Sequence, residues 1–242
     1  VGVDPGAGGG RERQWGGWAP TVGESAGPRE RLLAAGRRLL LEHGDSSYSV
    51  AELIRAAGVA LKTFYRSFPS KDEFLQAVFI SLVGGSAGSF EERVRSATTD
   101  PLDRLRLAIW WAIVARDGDE DEAASRILVG EHMRISRTSP ETIRAISEPY
   151  TDLIRALAVD ATAAGLIAPA DLDDEVHIIT TMVIATYHAR VLGLTTVDQH
   201  RLADRVWRFC LTALRGTEEA HARAATPLPG GGAARVGPPA VR

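Results

Sequence analysis

The chain has 242 residues, enough for one large or two modest domains, and its 45% hydrophobic content allows a substantial buried core. No uninterrupted apolar run approaches the roughly 18 residues of a membrane-spanning helix, and the Gly-rich start does not read as a signal peptide. Cys210 is the only cysteine, which excludes intrachain disulfides and fits a cytoplasmic location. The net charge of −3 is unevenly spread: residues 29–72 hold eight Lys/Arg against five Asp/Glu, and residues 73–242 hold 18 against 23. The positive charge is therefore concentrated near the start of the patterned chain.

Residues 1–28 are Gly-rich and unpatterned, so a disordered tail is expected there, Trp15 and Trp18 notwithstanding. Leu32, Leu33, Gly36, Leu39 and Leu40 recur at helical period, and Gly44 ends that first helix. Ser49 and Glu52 form a capping box that opens a second helix with Val50, Leu53, Ile54 and Ala57 on its apolar face. Gly58 stops it. After a turn at Val59, a short helix from Leu61 to Phe68 presents Lys62, Thr63, Tyr65, Arg66 and Ser67, with Phe64 and Phe68 assigned to the core. Pro69 ends it, and Ser70 with Glu73 caps the next. A helix, a Gly-containing turn and a helix carrying hydroxyls and cations is the form of a DNA-reading helix-turn-helix.

The stretch Ala57-Gly58-Val59, then Lys62-Thr63-Phe64-Tyr65-Arg66-Ser67-Phe68-Pro69-Ser70-Lys71, resembles the N-terminal domain of the TetR family of bacterial transcriptional regulators. The resemblance extends back through Arg29–His43 and covers about 50 residues; beyond them only length and helical layout agree. Family members often carry Ser or Thr where Ala60 stands, so the recognition helix is expected to lack a side-chain cap. The resemblance implies DNA contacts at Lys62, Thr63, Tyr65, Arg66, Ser67 and Lys71. Lys71 lies in the first turn of a helix, where its charge and the helix N-terminus would act on one phosphate.

Further along, Phe74, Leu75, Val78, Phe79 and Leu82 mark a fourth helix, which Gly84-Gly85 is expected to interrupt and Ser89 with Glu92 to restart. Asp100-Pro101 opens another, with Leu105, Ile109, Ala112 and Ile113 on one face. A helix across about 120–136 follows, then a long one from Ser139-Pro140 to Gly165 with a kink or break expected at Pro149. Asp171 starts a helix ending near Gly193, and Thr196 with Gln199 is expected to cap the last, which ends at Gly216. Residues 217–242 read as a disordered tail. The expectation is an all-α chain. A three-helix helix-turn-helix DNA-binding domain (29–73) precedes a helical effector-binding and dimerisation domain (74–216).

Trp110, Trp111, Met133, Tyr150 and Tyr187 are the candidate lining of a ligand pocket among the middle helices, which the resemblance implies. His132, Arg134 and His188 belong to the same scatter. His177 and His188 share a helical face, but their spacing does not suit a metal site, and no cofactor is expected. The acidic run Asp117–Glu122 reads as a solvated loop and helix start, and no catalytic motif is present, so the chain is not read as an enzyme. Apolar stripes at Ile178, Met182, Ala185 and Ala189, and at Leu202, Val206, Phe209 and Cys210, mark the helices that the resemblance pairs in a homodimer.

The expected function is sequence-specific binding of double-stranded operator DNA by a homodimeric regulator. It would be a repressor released by a small hydrophobic effector. The alternative is a ligand-independent DNA-binding protein whose C-terminal domain binds protein partners.

Overall fold

Helix α1 (Pro28–His43) begins with proline at its first turn and ends at Gly44, whose φ of 77° is the left-handed conformation glycine adopts without a Cβ clash. In the computed structural model, which describes residues 27–114 and 119–226, it is followed by nine further helices. These are α2 (Val50–Ala57), α3 (Leu61–Ser67), α4 (Lys71–Ala97), α5 (Pro101–Ile113), α6 (Asp119–Thr138), α7 (Pro140–Ala163), α8 (Leu172–Val191), α9 (Gln199–Ala213) and α10 (Glu218–Ala224). No strand occurs among the described residues. Residues 1–26 and 227–242, which the sequence led us to expect as tails, and residues 115–118, which hold part of the acidic run, lie outside them.

Two apolar clusters hold the helices. The first joins Leu32, Leu39 and Leu40 of α1, Tyr48, Leu53 of α2, Phe64 and Phe68, and Phe74, Val78 and Leu82 of α4. Gly36 is what lets α1 and α4 meet: a Cβ there would stand 2.4 Å from Phe74 Cζ and 2.9 Å from Val78 Cγ2. The second cluster packs α5, α7, α8 and α9 around Leu105, Ile109, Ile113, Ile154, Leu157, Ile179 and Trp207. Helix α4 contributes to both cores, with Val94 in the second cluster. By length and composition α4 is also the one described helix apolar enough to cross a membrane. Its Phe74, Leu75, Val78, Phe79 and Leu82 are buried within the protein.

Three expectations are corrected, and a fourth is narrowed. Helix α4 runs unbroken through Gly84-Gly85, because tertiary packing at both ends outweighs the roughly 1 kcal/mol that each helical glycine costs. Of the kink or break expected at Pro149, the break does not occur: α7 continues through it, since one lost hydrogen bond is small against the burial of Leu153, Ile154 and Leu157 just beyond it. The cap of α9 is Asp198, whose carboxylate accepts from His200 N and Arg201 N at 3.1 and 3.0 Å, not Thr196. The chain is also not a tail from 217 onward. Thr217 caps α10, and Ala220 and Ala224 are buried in the second cluster.

Two arginines fasten α10. Arg106, buried in α5, donates from Nη1 to the Thr226 carbonyl at 2.7 Å and lies 3.7 Å from Asp204 of α9. Arg223 pairs with Asp100 at 2.6 Å at the start of α5. Cys210 is fully buried and its thiol is pushed up to about 12 by loss of solvent, which makes it an inert core group.

Candidate nucleic-acid interface

The α2–turn–α3 unit is built from local signals. Ser49 Oγ accepts from Glu52 N at 3.1 Å while the Glu52 carboxylate accepts from Ser49 N at 2.8 Å. Gly58, at φ 61° and ψ 42°, turns the chain, and Val59 N returns to the Ile54 carbonyl at 3.1 Å. As expected, Ala60 offers α3 no side-chain cap; only its carbonyl is engaged, by Thr63 N and Phe64 N. What holds α3 is aromatic packing. Phe64 is fully buried and lies 6.0 Å from Phe68 and 5.7 Å from Phe74, and Phe68 stands edge-on to Phe74 at 5.1 Å. The Arg29 guanidinium covers the Phe68 ring at 5.0 Å.

Anchoring α3 by Phe64 and Phe68 turns its opposite side outward. Lys62 and Arg66 are exposed, and Tyr65 is 53% exposed with its ring edge-on to Phe64 at 5.2 Å. Thr63 and Ser67 are half-buried, and the Ser67 hydroxyl donates to the Thr63 carbonyl at 3.0 Å. Leu61 is exposed as well, one turn before Tyr65, and the sequence reading did not select it. The available signal was its i, i+4 spacing from Tyr65 on an otherwise polar face.

Lys71 does not simply project into solvent. Its ammonium donates to the Ser46 carbonyl at 2.7 Å and stands 5.2 Å from the centre of the Tyr48 ring. One of its three N–H groups thus ties α4 to the loop after α1, leaving two. Beside it, Asp72 receives Arg134 of α6 at 3.2 Å, and Arg134 also pairs with the buried Glu131 at 2.9 Å. This link from α6 to the start of α4 was not legible from the sequence.

The five pocket candidates do not gather at one place. Trp110 is buried against the His200 ring of α9 at 5.2 Å. Trp111 receives the Arg93 guanidinium at 4.6 Å, which also covers Phe90 at 5.2 Å. The Tyr150 hydroxyl donates to the Ala108 carbonyl at 3.3 Å, and its ring meets Phe90 at 6.2 Å. Trp111 and Tyr150 therefore converge on Phe90. Tyr187 sits apart beside His188, and Met133 is 40% exposed on α6. His188 meets not His177, which is exposed, but His132 of α6, with ring centroids 4.6 Å apart, and Phe79 of α4 closes on His132 at 6.2 Å. Burial drives His132 down to about 4, with His188 adding to the shift, and burial lowers His188 too. No cluster of three or more potential metal ligands occurs among the described residues.

Residues 32–78 match the family of bacterial regulatory proteins, tetR family. The HTH-type transcriptional regulator EthR of Mycolicibacterium smegmatis is 33% identical over 78 residues, a match spanning 32% of this chain and only 36% of EthR. Among solved structures, RolR without ligand superposes with a TM-score of 0.59 at 23% identity, over 83% of this chain and 98% of RolR. The fatty acid degradation regulator FadR from Bacillus halodurans gives 0.58 at 20% identity, over 80% of this chain and all of FadR. These likenesses show that the fold extends through the C-terminal helices. Residues 32–78, which carry both the signature and the three-helix geometry, are thus similar to the N-terminal domain of the bacterial regulatory proteins of the tetR family.

Proposed function

We propose that this protein binds operator DNA as a homodimer and represses transcription until a small apolar effector releases it. The observation that carries the DNA reading is the outward face of α3. Two phenylalanines lock the helix, and Lys62, Tyr65 and Arg66 stand in solvent on its other side. Cations and a phenol on a rigid short helix suit phosphate contacts, and an arginine suits the O6/N7 edge of guanine. Leu61 adds an apolar contact of the kind a thymine methyl accepts. Thr63, Ser67 and Lys71 complete the proposed surface, Lys71 with its two remaining N–H groups.

The homodimer is supported by α8, where Ile178 is 59% exposed, Ala185 is exposed, and Met182 and Ala189 are half-buried, in one seam at helical spacing. Phe209 of α9 is 62% exposed and is the apolar side chain that α9 offers to a partner. Val206 and Cys210 do not belong to it, because both are buried in the protomer core. Release by an effector is supported by fold likeness to RolR, one structure of which holds resorcinol. In this chain the Trp111, Tyr150 and Phe90 grouping is the proposed wall for such a molecule.

The test is fluorescence anisotropy of the full chain on DNA fragments from upstream of its own gene, across a salt series, before and after addition of small aromatic compounds. The proposal expects a site bound well above random duplex and released by at least one compound. Equal affinity for every fragment would contradict sequence-specific regulation. Specific binding that no compound disturbs would favour the ligand-independent reading, with the C-terminal helices serving protein partners.

A further inference from the structure

In the last turn of α8, Arg190 lays its guanidinium over the Tyr187 ring at 5.4 Å. Its Nε and Nη2 are shut off from solvent and meet no hydrogen-bond acceptor among the described residues. Other arginines with a bare nitrogen differ from it. Arg134 leaves only Nη2 unmatched while Nε and Nη1 serve Glu131 and Asp72. Arg106 leaves only Nε, its other nitrogens reaching Thr226 and Asp204. In Arg190 the two unmatched donors lie on one edge of the guanidinium. Their N–H bonds run parallel, at the spacing of the two oxygens of a carboxylate. Stacking on Tyr187 satisfies the face of the cation and leaves this edge unserved.

The surroundings define what suits it. The Tyr187 side chain shares a hydrogen bond with Ser125 of α6, so α6 and α8 meet at this point. Next along α8, His188 stands edge-on to His132 of α6, and Phe79 of α4 closes that group. Both imidazoles are held neutral at neutral pH by burial. The acids of α8 itself, Asp173, Asp174 and Glu175, lie at its other end, roughly 22 Å away at 1.5 Å per residue. Glu131 is engaged by Arg134. One guanidinium edge, one positive charge and aromatic neighbours match a singly charged planar anion on an apolar body. A phosphate dianion would call for a second cation.

We propose that the Nε/Nη2 edge of Arg190, set over Tyr187 between α6 and α8, binds the carboxylate of a small aromatic or aliphatic monocarboxylic acid. This rests on the effector-binding reading above and names the polar group of the ligand.

The test uses the full chain, with benzoate, 2-naphthoate and octanoate as probes, each beside its methyl ester, and follows thermal stabilisation against concentration. At least one acid should raise Tm, and its ester should need at least about tenfold more for the same shift. Arg190→Met should weaken the acid by a similar factor, and Arg190→Lys, which keeps the charge without the fork, should fall between. Without ligand, Arg190→Met should be as stable as the wild type or more so, because no anion loses its partner. A marked fall in Tm for both variants without ligand would overturn the proposal. It would place the edge on an acceptor within the chain. Esters binding as well as acids, or no acid shifting Tm, would overturn it too. Operator release is read separately by anisotropy: an acid that binds through Arg190 but leaves DNA bound upholds the site and contradicts its role as an effector.

Discussion

Lys71 shows how a residue read from sequence as a DNA contact also has a structural task. Its bond to the Ser46 carbonyl closes the loop after α1 onto α4, so Lys71→Ala should cost stability, by about 1 kcal/mol, as well as affinity. The two effects separate in measurement. Denaturant unfolding reports the first, and a drop of about one in the log–log salt slope of DNA binding reports the second. Tyr65→Phe, by contrast, leaves the exposed ring in place and should weaken operator and random DNA alike without changing stability. At His132 the consequence is a pH dependence. The folded imidazole is held at about 4, below its ordinary 6.5, so the unfolded chain takes the proton first. Stability is therefore full above about pH 6.5 and falls as pH drops toward 4, by an amount on the order of 2 kcal/mol. Thermal melts from pH 7.5 to 4.5 should show that slope, and His132→Phe should flatten it. The sequence showed His132 and His188 only as separate members of a scatter. Their contact depends on how α6 crosses α8, which no local pattern encodes.

At the scale of the element, the most legible parts were those whose signals are local. The Ser49–Glu52 box, Gly58, the Ser70 cap and the Asp100-Pro101 start all lie where the spacing placed them. The misreadings have a common cause. Gly84-Gly85 is a weak helix-forming pair, and local propensity cannot report the packing that carries α4 across it. Thr196 was chosen over Asp198 because two capping residues stand close together and only the fold picks between them. Two substitutions test this level. Ala60→Ser supplies the missing cap of α3 at an exposed position and should stabilise the protein by about 0.5–1 kcal/mol in chemical denaturation. Gly36→Ala should do the opposite, by about 1–3 kcal/mol, since its Cβ would meet Phe74 and Val78 where α1 crosses α4. A Gly36→Ala protein as stable as the parent would show that the two helices are not in such close contact.

For the whole molecule, the two apolar clusters joined by α4, and the bridge from Arg134 to Asp72, put the start of α4 in mechanical contact with the C-terminal helices. The proposed dimer seam on α8 gives its own test. Ile178→Asp should convert a light-scattering mass near twice the 26.0 kDa chain to that of one chain while leaving the protomer helical, because Ile178 is exposed. Val206→Asp should unfold the protomer instead, since it puts a charge in the core. The all-α class and the helix-turn-helix unit were legible in the sequence because helix period and caps are local. The places of the pocket candidates were not, because the side-chain directions that send Trp110 to α9 and Trp111 to Arg93 depend on packing between distant helices. The central claim is that the outward face of α3 reads DNA. Its most direct test is selection of bound duplexes from a randomised pool, with the wild-type chain and a Lys62→Ala/Tyr65→Ala/Arg66→Ala variant in parallel. The account predicts that the wild type enriches a two-fold-related site, with half-sites about 34–36 Å or a multiple apart, and that the folded variant enriches none. Enrichment of the same site by the variant, or no enrichment by the wild type, would contradict it.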